Sequence, residues 1–196
     1  MSMIGNLARI SVQQLESLHQ NPASIMQLLY PDDVEASVTP PSSFFGRLFG
    51  SKAKPAKSVA SVENLGEGDK VDLDKAWHSL HFLFTGQAWE GEFPYGFLVS
   101  CGKPVGEEDV GYGPARSFTP EEVMNIAAFL EAQDEAKLRS SVNPAAMRDA
   151  EIYCGAGDDD TLADEEWEYL AGAFQNARQF VRETAARKMA MLVYIN

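Results

Sequence analysis

The side chains of this chain that could do acid–base or metal chemistry converge in one short segment, Val71–Gly86 (VDLDKAWHSLHFLFTG). It holds two of the three histidines, His78 and His81, together with Asp74. Residues three or four apart share one side of a helix, so these three side chains would lie next to one another. Asp74 could then orient His78 and raise its basicity, as a general base requires. The two histidines could also offer nitrogens to a metal.

The same histidines have a structural interpretation, which the sequence favours. Two histidines three apart make half of a metal site, and the HExxH pattern is absent. The third, His19, lies on another predicted helix. We therefore predict no metal site. In the structural interpretation His81 packs in the core with a hydrogen-bonded ring, and His78 pairs with Asp74 at the surface.

A glycine-rich stretch, Gly111–Arg116 (GYGPAR), is the second candidate site. Its glycines permit tight turns, and Tyr112 and Arg116 could hold an anionic or planar ligand. The stretch lacks the GxxxxGK[ST] pattern of a phosphate-binding loop. The structural alternative, which we favour, is that the glycines turn the chain and Arg116 pairs with a carboxylate.

The negative charge is concentrated in one part of the chain. The net charge is −13, and the window from Glu107 to Glu168 carries all of it, with 17 acidic and four basic residues. Such a surface repels phosphate backbones, so we expect no nucleic-acid partner, and it would attract a basic protein. Asp158, Asp159 and Asp160 are the candidate partner-binding residues. Their spacing does not match a calcium-binding EF-hand loop, because Ala163 stands at the position of its invariant glycine.

Periodicity and capping residues predict a chain with more helix than strand. Strands are predicted at Gly5–Ile10, Gly96–Cys101, Arg116–Phe118 and Met189–Ile195, and helices after Ser11, Asn21, Thr119, Asp134 and Asn143, over Leu73–Thr85, and from Thr161 or Asp160 to Ala186. Helical spacing also predicts one core joining the central and C-terminal helices through Trp77, Leu80, Phe84, Trp167, Leu170 and Phe174. From 34 to 70 the periodicity disappears, and Pro, Ser and Gly content predicts a flexible insertion.

Composition and motifs narrow the class of protein. No apolar run is long enough to span a membrane, and the N-terminus lacks the features of a signal peptide. We therefore expect a cytoplasmic protein in which Cys101 and Cys154 are reduced. Within the inserted stretch, Phe44–Lys57 combines aromatic and basic residues and could dock on a partner or a membrane surface. No cofactor motif is present.

Four stretches resemble one known family. They are Met3–Asn6, LDKAWHSLHFLFTG at Leu73–Gly86, GYGPARSFTPEEV at Gly111–Val123 and NPAAMRDAEIY at Asn143–Tyr153. In order and spacing they resemble the YfbM-like family of small bacterial proteins, a domain of unknown function. The resemblance implies a compact α+β fold and no established activity or site residue. We thus expect a helix-rich single α+β domain over 1–196, with a small sheet of short N-terminal, central and C-terminal strands.

Two functions remain as hypotheses. The first, which we favour, is a non-catalytic cytoplasmic binding protein whose acidic face meets a basic partner, with an immunity-protein-like role as one setting. The second is an enzyme or small-ligand binder that uses a pocket formed by Asp74, His78, Tyr112 and Arg116. A deep pocket joining these side chains would favour the second hypothesis. Their separation, or burial of both histidines in packing, would favour the first.

Overall fold

The computed structural model describes residues 2–31, 64–66, 68–153 and 162–196. Most of the predicted insertion at 34–70, including Phe44–Lys57, lies outside the described residues, as do Cys154 and the aspartates at 158–160. In the described part, no helix is long and apolar enough to cross a membrane.

In the described ranges, five strands form one antiparallel sheet. They are β1 (Gly5–Ile10), β2 (Lys70–Asp72), β3 (Lys103–Pro104), β4 (Arg116–Phe118) and β5 (Ala190–Ile195), in the order β2-β1-β5-β4-β3. The longest ladder joins β1 to β5, with Gly5 opposite Ile195 and Ile10 opposite Ala190. The two ends of the described chain therefore meet at the centre of the sheet.

The helices cover both faces of this sheet. They are α1 (Val12–Gln20), a 3₁₀ turn (Pro22–Ser24), α2 (Ile25–Leu29), α3 (Ala76–Thr85), α4 (Pro120–Glu131), α5 (Glu135–Ser141), α6 (Pro144–Asp149) and α7 (Asp164–Ala186). Side chains alternate along a strand, so the two central strands, β1 and β5, each contribute to two cores. Leu7 and Val193 pack with α3, α4 and α7, whereas Ala8 and Leu192 pack with α1 and α2. The predicted α+β class is confirmed.

Local sequence signals account for several elements. Ser11 caps α1 and Gln14 reaches back to the Ser11 N–H, and Thr119 and Glu122 form the same reciprocal pair at the start of α4. The strands predicted at the N-terminus, at Arg116–Phe118 and at the C-terminus are confirmed. Each cap lies directly before its helix and three residues from the side chain that completes the pair.

The central helix begins later than predicted. Leu73 and Asp74 lie outside α3, because the backbone of this segment pairs with Gly5: Leu73 N–H donates to Gly5 O and Gly5 N–H to Asp74 O. Asp74 takes a left-handed conformation, with φ of 47°. The chain thus leaves β2 and turns before the helix starts.

The predicted strand at Gly96–Cys101 is wrong. The N–H groups of Val99, Ser100 and Cys101 all converge on Gly96 O, so the segment is a series of turns. Consecutive residues Phe97 and Leu98 are both buried, whereas a half-buried strand would bury alternate ones.

The long C-terminal helix also begins later than its predicted caps. Ala163 is the N-cap of α7, and the carboxylate of Glu166 accepts from its N–H at 3.0 Å. The caps predicted at Thr161 or Asp160 lie outside the described residues. The acidic first turn of α7 places carboxylates where the helix dipole favours them.

Candidate functional site

Asp74 is bound to α7 rather than to a histidine. Its carboxylate accepts a hydrogen bond from the Tyr169 hydroxyl at 3.0 Å, and the Lys75 N–H donates to the same hydroxyl oxygen at 3.0 Å. Because Asp74 precedes the helix, the spacing of four residues does not bring it to His78. The predicted pairing of Asp74 with His78 is therefore wrong.

His78 is fully buried, and both of its ring nitrogens are occupied. Nδ1 accepts from the Tyr153 N–H at 2.9 Å, so the neutral ring carries its proton on Nε2 and donates to Ala88 O at 2.7 Å. The ring stacks on Trp77 with 4.7 Å between the ring centroids, and its centroid lies 4.3 Å from that of Trp89. Burial lowers the pKa of His78. The imidazole thus links the backbone at Tyr153 to the backbone at Ala88. The predicted surface location of His78 is wrong.

His81 is also fully buried and hydrogen-bonded, as the structural interpretation predicted. Its Nε2 donates to Glu90 O at 3.1 Å, while Nδ1 has no partner in the described part of the chain. Burial lowers the pKa to about 4; the hydrogen bond to Glu90 O acts in the opposite direction, and the nearby positive charge of Arg116 acts in the same direction as burial. His81 is thus neutral at physiological pH.

Arg116 binds backbone carbonyls, not the carboxylate predicted for it. Its Nη1 donates to Cys101 O at 2.8 Å and its Nη2 to Leu98 O at 2.6 Å, with a longer contact from Nη1 to Phe97 O at 3.4 Å. Burial lowers the pKa of Arg116 to about 10. The planar donor fork holds the series of turns in place.

Tyr112 lies in a separate loop, next to the end of β5. Its N–H donates to Ile195 O at 3.0 Å, and its side chain is 45% exposed. Asp109 Oδ1 accepts from the N–H groups of Gly111 and Gly113 at 2.8 and 2.9 Å. A Cβ on Gly111 would come within 2.5 Å of Asn196 Cα. These glycines therefore turn the chain, as the structural interpretation predicted.

The structure brings three of the candidates together and separates the other two. His78, His81 and Arg116 all donate to carbonyls within the segment from Ala88 to Cys101. Asp74 and Tyr112 contact α7 and β5, respectively. Within the described ranges, no group of three or more His, Cys, Asp or Glu side chains could hold a metal ion.

A small cavity of about 240 Å³ lies between β2 and α7, away from the histidines. It is lined by Lys70, Val71, Asn176, Gln179, Phe180 and Glu183. Behind it is Arg9, a buried charge that the sequence analysis missed, 3% exposed and 5.2 Å above the Phe180 ring. Arg9 Nε lies 3.0 Å from Asp69 Oδ1, and Nη1 lies 3.9 Å from Glu183 Oε2. Arg9 lies two residues after Leu7 on β1, and this spacing was the signal that both side chains point to the same, buried face.

Three exposed aromatic side chains also escaped the sequence analysis as a group. Trp89, Phe93 and Tyr95 are 55%, 39% and 46% exposed, within one loop after α3. Two exposed carboxylates, Glu90 and Glu92, lie between Trp89 and Phe93. The sequence did contain a signal for them. These aromatic residues follow neither the helical nor the strand period, so no buried face of a helix or strand accounts for them.

Acidic side chains form a surface at the start of α7. Asp164, Glu165 and Glu168 are exposed there, and the Tyr169–Asp74 hydrogen bond brings the end of β2 beside them. We name this the acidic face and define it by its five residues: Asp72, Asp74, Asp164, Glu165 and Glu168. One of the five, Asp164, pairs with Arg139.

Comparison with known proteins agrees with the fold. The model of a family described as a domain of unknown function, DUF1877, matches residues 1–194. Among solved structures, the chain is similar to YfbM from Escherichia coli, a protein of unknown function, with a TM-score of 0.58 at 18% identity over 98% of this chain and 99% of that one. At this identity the likeness concerns the fold. No curated protein matches the chain. The resemblance drawn from the four stretches is thus confirmed, and the chain belongs to the DUF1877 family.

Proposed function

We propose that this protein is a non-catalytic, cytoplasmic binding protein whose acidic face meets a basic protein partner. The observation that carries the proposal is the exposure of Asp72, Asp74, Asp164, Glu165 and Glu168 on one surface. Arg139 neutralises only part of this charge, because it pairs with Asp164 from a side chain that is itself half exposed. The remaining carboxylates are available to an incoming cationic surface.

The arrangement of the histidines supports binding over catalysis. A general base needs a free ring nitrogen within reach of a substrate proton. His78 uses both nitrogens on the protein backbone, and His81 is fully buried. Arg116 donates to backbone carbonyls from both Nη1 and Nη2. The alternative, an enzyme or small-ligand binder using Asp74, His78, Tyr112 and Arg116, therefore has less support.

The charge distribution indicates how such a partner would be captured. A surface of one sign steers an oppositely charged protein and raises the association rate, and this effect weakens as salt rises. The same sign repels nucleic-acid phosphates. An immunity-protein-like role, in which the acidic face covers a basic toxin, would fit this charge.

Charge reversal tests the proposal. We expect the double variant Glu165→Lys/Glu168→Lys to lose a basic partner that the wild-type chain captures from a bacterial lysate. The matched control is Glu107→Lys/Glu108→Lys, which makes the same charge change in a segment that packs beside Pro22, on the opposite side of the sheet. We expect the control to retain the partner. Equal loss of the partner in both variants would show that the change in net charge alone causes the loss. That result would contradict binding through a defined acidic face.

A third variant separates the two functional hypotheses. If function depends on the histidines instead, His78→Ala will abolish capture while the Glu165→Lys/Glu168→Lys variant keeps it. That pattern, with His78→Ala still folded by circular dichroism, would contradict the proposal.

A further inference from the structure

We propose that the loop after α3 is a docking surface for an arginine-containing segment of a partner protein. The surface consists of Trp89, Glu90, Glu92, Phe93 and Tyr95, and we name the segment that carries it, residues 88–95, the aromatic loop. The inference rests on the proposed function for its basic partner, and it places the contact at a second surface distinct from the acidic face.

The three rings are exposed, yet each is seated against the protein. Trp89 contacts the His78 ring at 4.3 Å, Tyr95 meets Phe129 edge-on at 5.1 Å, and Phe93 stacks at 6.5 Å from Phe118. Ordered aromatic side chains lose little rotamer freedom on binding, so their buried area contributes efficiently to affinity. Trp and Tyr are also the residues most enriched at binding hot spots.

Side-chain hydrogen bonds also fix the backbone of the aromatic loop. The His78 and His81 imidazoles donate to Ala88 O and Glu90 O at 2.7 and 3.1 Å. The Ser100 hydroxyl and the Cys101 thiol both donate to Gly91 O. The two histidines are thus positioning residues for this loop. A fixed backbone presents the rings in one arrangement before a partner arrives.

The charges around the rings identify the partner's chemistry. Glu90 and Glu92 lie between Trp89 and Phe93, and the sequence from Gly86 to Gly102 contains no Lys, Arg or His. The guanidinium of Arg116 is bound to the carbonyls of this segment. A planar guanidinium both stacks on aromatic faces and binds carboxylates with two parallel hydrogen bonds. Arginine satisfies both features of this surface, whereas lysine offers only a point charge.

Nuclear magnetic resonance of the full chain tests the assignment, with a peptide of alternating arginine and glycine as the probe and the lysine–glycine peptide as its counterpart. The chain has three tryptophans, of which Trp77 and Trp167 are buried, so the Trp89 indole N–H reports on the loop. We expect saturable shifts of this resonance and of the loop amides. We expect weaker binding of the lysine peptide.

Variants then separate the loop from the rest of the surface. We expect Tyr95→Ala and Glu90→Gln/Glu92→Gln to weaken binding of the arginine peptide about five-fold or more, the usual threshold for a contributing interface residue. Tyr112→Ala removes an equally exposed tyrosine elsewhere and should leave binding unchanged. The two glutamine substitutions keep the ring packing, so they test the surface even if Tyr95→Ala perturbs the fold.

Two results would overturn the inference. In the first, the arginine peptide shifts the amide resonances of the acidic face at 164–168 and leaves the Trp89 indole resonance unchanged. That result would overturn the docking surface but leave the proposed function intact. The other is equal binding of the arginine and lysine peptides at the loop, which would remove the assignment to arginine. Failure of the proposed function is detected separately, by capture that survives Glu165→Lys/Glu168→Lys.

Discussion

His78 and His81 fix the backbone of the loop after α3 through hydrogen bonds from their rings. Each donates its Nε2–H to a carbonyl of the aromatic loop, and each is removed from water by the loop that it holds. Burial disfavours the charged imidazolium, so the pKa of both histidines is lowered. The residues that attracted a catalytic interpretation are therefore neutral parts of the fold.

A pH-dependent loss of stability follows from the lowered pKa of His81. Its pKa falls from 6.5 to about 4 in the folded protein, so between these values the unfolded chain binds the extra proton. The free energy of unfolding therefore falls as pH falls through this window. At about 1.4 kcal/mol per pH unit, His81 alone lowers it by about 2 kcal/mol at about pH 5. Urea unfolding at about pH 7 and pH 5 measures the loss.

The variant His81→Asn provides the control for this loss. Asparagine retains an N–H donor but does not titrate, so the difference between the two pH values should shrink. The lowered pKa values of His19 and His78 act in the same direction and leave part of the dependence in place. An unchanged difference in His81→Asn would show that His81 does not cause it.

The sequence identified these histidines but not their environment. Spacing of three residues places two side chains on one side of a helix, whether that side faces solvent or protein. The environment is set by the segment from Ala88 to Cys101, which covers α3 and was itself predicted wrongly as a strand. Asp74 was misplaced for a related reason. Its backbone pairs with Gly5, which lies far from it in sequence.

Among the elements, those with local start signals could be predicted and those fixed by distant contacts could not. Ser11 and Thr119 begin α1 and α4 as expected, because each cap and its partner are three residues apart. Of the predicted helical core, Leu80, Trp167, Leu170 and Phe174 share one cluster, and Phe84 packs against it partly buried. Trp77 is equally buried but contacts Gly5, His78 and Tyr153 instead.

Gly5 and Gly172 provide a matched test of how elements pack. A Cβ on Gly5 would lie 2.4 Å from Trp77 Cβ, whereas a Cβ on Gly172 meets nothing within 4 Å. We expect Gly5→Ala to lower the free energy of unfolding by about 1–3 kcal/mol, since β1 and α3 must separate. We expect Gly172→Ala to raise it by about 0.5–1 kcal/mol, because alanine favours a helix interior.

Denaturant unfolding of both glycine variants checks this prediction. Opposite signs would confirm that β1 and α3 are in direct contact at Gly5. A stabilising Gly5→Ala would show that the strand and the helix are not packed this closely.

At the scale of the whole molecule, negative charge opposes the compact state. The chain carries −13, and the exposed carboxylates of the acidic face lie close to one another. Favourable surface pairs exist, such as Arg178 with Glu131 at 3.1 Å, but exposed pairs of this kind contribute little. The same excess of carboxylates that would attract a basic partner therefore lowers the stability of the free protein.

The response of stability to salt tests this balance. Raising NaCl to about 0.15 M shortens the Debye length to about 8 Å and screens the repulsion, so we expect the melting temperature to rise at about pH 7. The sequence pI is about 4.6, so near that pH the net repulsion vanishes and the same salt should have little effect. Thermal unfolding at both pH values, with and without salt, distinguishes net repulsion from a general salt effect, which would stabilise equally at both. A melting temperature that falls with salt at about pH 7 would mean that ion pairs such as Arg178–Glu131 outweigh the repulsion.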